Sequence, residues 1–277
     1  MIVTIARISI QQKNKQRYNI FLHDGKKEYY AFSVDEPVLA KYMLHKGMEL
    51  DEKTLANIEK EADLYKAYAL TIQYLSYRMR TKKEIRDYLI KKEIFEDAIP
   101  DIIDRLVSEG LVNDLEFAKM FTRTRIETSL KGPAVVKREM IEKGVARELA
   151  EEAIQLYTYE IQYEKASKLI EKKLNQTQKD SNVKVQQKLQ QFMMQKGFSS
   201  DIIQELMQDV KEKQGDEQEK QAIVHQGEKL KRKYQRRYSG TELSFKIKTG
   251  LYRYGFSSDL IQEYVDNWLT QDEEESF

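Results

Sequence analysis

The chain is 277 residues long, 34% charged and 40% hydrophobic, with a net charge of +1 and no cysteine. Disulfide and thiolate chemistry are thereby excluded, and no stretch approaches the roughly 18 consecutive apolar residues of a membrane helix. Only three prolines and eleven glycines interrupt a sequence dominated by Lys, Glu, Gln, Leu and Ile, so slender helical units are expected rather than one large globule. The N-terminus has no basic start followed by a long apolar run, and the expectation is a soluble cytoplasmic protein.

Residues 1–33 alternate with period two. Ile2–Ile10 and Tyr18–Leu22 precede an Asp24-Gly25 turn, and Tyr29–Ser33 returns, which predicts a three-stranded hairpin segment. Three strands are marginal alone, so helices over about 35–46 and 51–63 are expected to cover them. From Asp63 the period becomes helical, with Leu64, Tyr68, Ile72, Leu75 and Met79 on one stripe. Thr81-Lys82-Lys83-Glu84 reads as a capping box that opens a second helix, with Ile85, Tyr88 and Leu89 inward. A third helix carries Ile99, Ile102, Ile103 and Leu106, and Gly110 closes it. Asn113–Glu116 caps the next helix, with Phe117, Ala118 and Phe121 inward, and Pro133 follows Gly132 at a first helical turn. Ile161, Ala166, Leu169 and Ile170 are expected to meet Val185, Leu189, Phe192 and Met193 across the polar loop 175–182. The last unit should begin after the polar stretch 214–221, using Ile223, Leu230, Tyr234, Ile247, Leu251 and Tyr254, and end near Leu269.

These helices fall into a repeat. Glu93, Gly144, Gly197 and Gly255 end equivalent helices, spaced 51, 53 and 58 residues apart, and each is followed by two apolar pairs at fixed offsets. Residues 196–205 read KGFSSDIIQE and residues 254–263 read YGFSSDLIQE. Self-similarity of this kind predicts stacked supersecondary units that expose an extended surface. The expected fold is mainly α, with tandem three-helix, helix-turn-helix-like repeats in an elongated array behind a small N-terminal stranded segment. The expected divisions are 1–62 for the β-plus-helix segment, then repeats over 63–112, 113–157, 158–213 and 214–277, the last with the acidic tail Asp272–Glu275.

Charge is segregated. Lys229–Tyr254 contains nine bases and one acid, Glu242, and a second basic run spans Arg78–Lys92. Such clusters attract polyanions or acidic proteins, or are simply solvated helix faces. Third helices instead present acids, among them Asp101, Asp104, Glu148, Asp201, Glu205, Asp259 and Glu263. Acids on a groove-facing helix oppose the counterion release that dominates DNA affinity, so base reading by these helices is not expected. The candidate contact residues lie on first and second helices: Arg78, Arg80, Lys82, Lys83, Arg123, Arg125, Lys131, Lys137, Arg138, Lys231, Arg232, Lys233, Arg236, Arg237, Lys246 and Lys248. Tyr74, Tyr77 and Tyr238 stand beside bases and could stack on single-stranded nucleobases, with Tyr77 and Tyr238 expected to face outward; Tyr234 belongs to an apolar stripe and is expected in a core. Phosphate-cradling glycine motifs and H-E-x-x-H are absent, and His23, His45 and His225 are scattered. No catalytic residue, metal ligand or cofactor site is expected, and no small-molecule substrate.

Leu75–Leu89 (LSYRMRTKKEIRDYL), Gly110–Lys119 (GLVNDLEFAK), Arg125, Lys131-Gly132 and Lys143-Gly144-Val145 together resemble the RecX family of bacterial recombination regulators. The match is densest over 70–155, and the stranded segment with a fourth unit resembles longer members from low-GC Gram-positive bacteria. The resemblance implies a non-enzymatic chain of three-helix units acting in recombination, DNA repair and the SOS response. Its implied partner is the RecA recombinase on single-stranded DNA, whose ATPase and strand-exchange activity such proteins lower, with direct but weak DNA contact. The alternative is a stand-alone nucleic-acid-binding protein that uses the basic first and second helices.

Overall fold

A computed structural model describes residues 2–12, 14–177, 179–213 and 215–274. The chain divides into two compact units. One runs to Phe117 and takes in Lys143–Ala146; the other comprises Ala118–Glu142 and the chain from Arg147 onward. The side chains of Asp272, Glu273 and Glu274 and the whole of Glu275 lie outside the described residues.

In the first unit, β1 (Ile2–Ile10), β2 (Arg17–His23) and β3 (Glu28–Asp35) form the expected antiparallel meander. A fourth strand, β4 (Glu49–Asp51), pairs with β1 to give the order β3-β2-β1-β4. Three residues are too few to show a period, so β4 is invisible in sequence; Leu50, 1% exposed, anchors it. Alternation places Ile5, Ile20, Leu22 and Val34 on one face, packed with Val38 of α1 (Glu36–Lys41) and with Ile58 and Ala62 of α2 (Glu52–Leu75).

The helix expected over 35–46 stops at Lys41, because Met43 turns the chain at φ 50°. The helix expected over 51–63 instead runs unbroken to Leu75. Nothing at 62–64 breaks it, and the Asp51 carboxylate caps its start through the Thr54 N–H. The division drawn at 62/63 therefore falls inside α2, whose first half covers the sheet and whose second half joins the first three-helix core. That core contains Ile85 and Leu89 of α3 (Lys82–Lys91) and Ile99, Ile102 and Leu106 of α4 (Ile99–Ser108), lined by Tyr68, Ile72 and Tyr88. Met79, expected on the same stripe, lies past the end of α2 and is 44% exposed.

α5 (Asp114–Thr128) starts in the first unit and continues into the second. The second unit continues with α6 (Pro133–Glu142), α7 (Arg147–Ile154), α8 (Tyr159–Leu174), α9 (Asn182–Lys196), α10 (Ser200–Lys213), α11 (Asp216–Tyr234), α12 (Gly240–Arg253) and α13 (Ser258–Glu274). α8–α10 enclose one core around Leu189, Met193 and Ile202, and α11–α13 another around Ile247, Leu251 and Val265. The last unit begins inside the polar stretch 214–221 rather than after it. α11 begins at Asp216, and Asp216, Glu217 and Glu219 occupy its positive N-terminal turn, where acids are stabilising.

One contact recurs at the repeat glycines and explains them. In the first unit, the Thr81 hydroxyl donates to the Lys143 carbonyl (2.6 Å), and a Cβ on Gly144 would fall 2.3 Å from Cβ of Lys83. In the second unit, Gly132 N–H donates to Lys196 O (2.7 Å) and Ala134 N–H to Gly197 O (3.0 Å). There a Cβ on Gly197 would lie 2.7 Å from the Val135 nitrogen. The Ser181 hydroxyl likewise donates to Tyr254 O, and Gly255 sits against Val183. Each glycine is left-handed, at φ 84–91°, so the N-terminus of one repeat's second helix receives the closing turn of the next repeat's second helix. Glu93 is also left-handed at φ 59° but is exposed, so a Cβ there meets no clash and glycine is dispensable.

Candidate partner-binding surfaces

The expected contact bases separate into those already engaged within the chain and those that are not. On the first unit, Arg78 binds Glu84 through both guanidinium nitrogens (2.8 and 3.2 Å). Glu84 is the capping-box acid, taking the Thr81 N–H and lying 3.6 Å from Lys143. Burial pushes the Glu84 carboxyl up, but the Arg78 and Thr81 bonds and the nearby charges outweigh it and hold the group below the usual range. The Arg80 guanidinium lies over Tyr74, 4.0 Å from the ring centre, and Tyr74 stacks on Tyr88 at 4.1 Å. Tyr74 is thus committed to an internal stack. Lys82 and Lys83 are exposed at the start of α3, with the stem of Lys83 against the Gly144 turn.

On the second unit, Glu139 gathers two of the bases. Its carboxylate accepts from Arg125 (2.8 Å) and from Lys131. Burial again raises this carboxyl, and the two cations more than reverse the effect. Lys137 pairs with Glu151 (2.7 Å), which also accepts from Arg147 (3.2 Å). Arg123 is exposed, its one side-chain hydrogen bond among the described residues being to the sulfur of Met120, while Arg138 faces Glu142 at 3.8 Å, both well exposed. These acids come from neighbouring turns and helices, and no linear signal pairs residue 125 with 139 or residue 137 with 151.

The last repeat differs. Arg232 in the last turn of α11 and Arg236 and Arg237 just past its end are exposed, and their side chains make no ion pair or hydrogen bond among the described residues. Lys231 is half-buried and partnered, and Lys233 and Lys246 sit over the Tyr234 and Tyr238 rings. Lys248 donates to Gln262 (2.8 Å). Cations at a helix C-terminus are favoured by its dipole, so the cluster is locally stable without an acid. Tyr238 does not face outward as expected: it packs with Tyr234 on the α11–α13 core. Tyr77 does, at 76% exposure.

His23 ends β2, His45 lies in the loop between α1 and β4, and His225 is exposed on α11; among the described residues, no cluster of metal-ligand side chains occurs. No helix among them is long and apolar enough to cross a membrane.

Comparison with known proteins places every part of this architecture in one group. The regulatory protein RecX N-terminal domain model matches residues 3–51, and the first and second RecX three-helix domain models match 67–106 and 113–154. The third three-helix domain model matches twice, over 160–207 and 216–265, the two stretches that contain the near-literal GFSSD repeats. A regulatory protein RecX from Oceanobacillus iheyensis is 47% identical over 271 residues, covering 97% of this chain and 99% of the relative. One from Bacillus cytotoxicus is 40% identical over 261 residues, covering 94% and 96%. A crystal structure of regulatory protein RecX superposes with a TM-score of 0.66 at 37% identity, over 75% of this chain and 99% of that one. The structure of RecX from Lactobacillus salivarius gives 0.52 at 41% identity, over 54% and 97%.

Proposed function

The chain belongs to the RecX family of regulatory proteins, and from that membership we propose that it binds the RecA recombinase on single-stranded DNA and lowers its ATPase and strand-exchange activity. It acts without catalysis, by occupying surface that the recombinase or its DNA needs. The observation that carries the reading is the sorting of its bases. Arg78, Arg125, Lys131 and Lys137 are neutralised internally, whereas Arg232, Arg236 and Arg237 meet no acid among the described residues. An exposed, unpaired cationic surface can accept acids of a partner protein or phosphates without first breaking ion pairs. Work in the cytoplasm follows from such a partner.

Full-length protein added to RecA on single-stranded DNA should depress ATP hydrolysis; unchanged hydrolysis at stoichiometric protein refutes the proposal. The triple substitution R232E/R236E/R237E should relieve the depression, and full inhibition by the variant would clear this cluster of a role.

The same unpaired arginines favour a second reading, a stand-alone nucleic-acid-binding protein. Binding to single-stranded DNA without RecA would then be steeply salt-dependent. Loss of three phosphate contacts would flatten the log–log salt slope by roughly 2.

A further inference from the structure

The N-terminal sheet has a second face that neither the core nor the basic helices explain. Register sets its composition. Arg7, Phe21 and Tyr30 lie opposite one another across β1, β2 and β3. Ser9, Asn19 and Ser33 form the next row. The strands reach this arrangement through two irregularities: one extra residue, Ala6, in β1 between Ile5 and Arg7, and another, Ala31, in β3 opposite the Ile20–Phe21 step. Both flank the Arg7–Phe21–Tyr30 row and set its phase, as bulges do where a side chain is re-aimed. Tyr30 is 53% exposed, the Arg7 guanidinium lies 3.9 Å over the Phe21 ring, and Tyr30 meets Phe21 edge-on at 5.8 Å.

We propose that this face binds single-stranded DNA, stacking unpaired bases on Tyr30 and on the outer side of the Arg7–Phe21 pair. Flat rings and a guanidinium plane on an open antiparallel sheet are what splayed bases stack on, and duplex DNA offers no such free base. The adjoining row supplies neutral hydrogen-bonding groups. The Gln11 amide donates to Asn19 (2.9 Å) and Ser33 (3.2 Å), leaving the Asn19 amide N–H groups and the Gln11 carbonyl oxygen to meet base edges. Charge suits a phosphate backbone, because Lys15 at one end of the sheet and Lys26 and Lys27 at the other are exposed. Of the acids on this face, Glu28 is neutralised by Arg7 at 3.0 Å, and Glu49 stands apart on the edge strand β4, opposite Thr4. An acidic or apolar protein partner fits less well, because the row is aromatic but bordered by amides and hydroxyls. The stacking stands apart from the recombinase reading; only the choice of DNA over RNA rests on it.

The test is fluorescence-anisotropy binding of labelled oligo(dT) and oligo(rU) to the full-length protein and to Y30A, Y30F and R7K, without RecA. Stacking predicts that Y30A weakens oligo(dT) binding about fivefold or more with an unchanged salt slope, and that Y30F stays within about twofold of the parent. R7K, which keeps the charge and loses the plane, should also weaken it. Equal affinity of Y30A and parent overturns the proposal, as does equal loss in Y30F. Tighter oligo(rU) binding with the same Y30A loss overturns the choice of DNA. Unchanged melting of Y30F and R7K excludes unfolding as the cause. Inhibition of RecA is measured separately, so intact inhibition with lost oligonucleotide binding, or the converse, tells which reading failed.

Discussion

Replacing Gly197 by alanine should be among the most damaging single-methyl changes in the second unit, and its cost divides into two parts that neighbouring glycines isolate. The first part is conformational. Gly197 has φ 84°, and holding an L-residue in the left-handed region costs about 1–2 kcal/mol. The second part is steric. The new Cβ would stand 2.7 Å from the Val135 nitrogen and 2.8 Å from its Cγ2, well inside ordinary contact. Relieving that overlap drives the end of α9 away from the start of α6 and loosens two backbone hydrogen bonds, Gly132 N–H to Lys196 O and Ala134 N–H to Gly197 O. At about 1 kcal/mol each, these bring the total to roughly 3–4 kcal/mol. Gly240 carries only the first part: it is left-handed at φ 53° with nothing within 4 Å of an added Cβ, so G240A should cost about 1–2 kcal/mol. Gly132 carries only the second: its φ lies outside the left-handed region, yet a Cβ would lie 2.4 Å from the Gly197 carbonyl, so G132A should cost about 2 kcal/mol. Urea unfolding followed by circular dichroism would rank the three variants. If G132A falls within about 0.5 kcal/mol of the parent, like an ordinary surface change, or if G240A costs as much as G197A, the interlocked turns are not what demands glycine.

Other outcomes follow from single contacts. T81V removes both the cap to the Glu84 N–H (3.1 Å) and the bond to Lys143 O, and should lower stability by about 2 kcal/mol in thermal melts, with T81S restoring most of it. The Glu139 carboxyl is held below its ordinary value of 4.5, so on acidification the unfolded chain takes up the proton first. The stability contributed by the Arg125–Glu139–Lys131 cluster is therefore complete above that value and is lost as pH falls through the lower folded one. E139Q should flatten that acid limb of a stability-against-pH curve, and an unaltered limb would refute the assignment. Tyr157, donating to Lys131 O at 2.7 Å, is pushed up to about 12 by burial, against 10.0 ordinarily. The unfolded phenol ionises first, so stability is complete below pH 10 and falls as pH rises toward 12. Y157F should remove this alkaline fall and cost about 1 kcal/mol at neutral pH.

Helices with long one-sided apolar stripes were legible because burial acts on local period: Ile85 and Leu89, Leu189 and Met193, and Ile247 and Leu251 all lie where spacing put them. Errors occurred where the deciding contact was distant or where polarity had a second cause. Leu50 makes a strand only because β1 offers it an edge, and the acids at 216–219 already belong to the first turn of α11, ahead of where the polar stretch was expected to end. Tyr238 lost its outward place because the α11–α13 core had room for its ring. The basic runs were visible, but not which bases were free. That depends on acids brought from residues 84, 139 and 151 by folding.

The sequence by itself determined the repeat, the helical class, the strand meander and the family, because period, capping residues and glycine placement act over a few residues and survive without tertiary context. Only the tertiary structure decided why Gly144, Gly197 and Gly255 admit no side chain, and which arginines remain available to a partner. Both are matters of close approach between segments tens of residues apart. Contact distances and ion pairing are set when helices pack, and no local pattern encodes them.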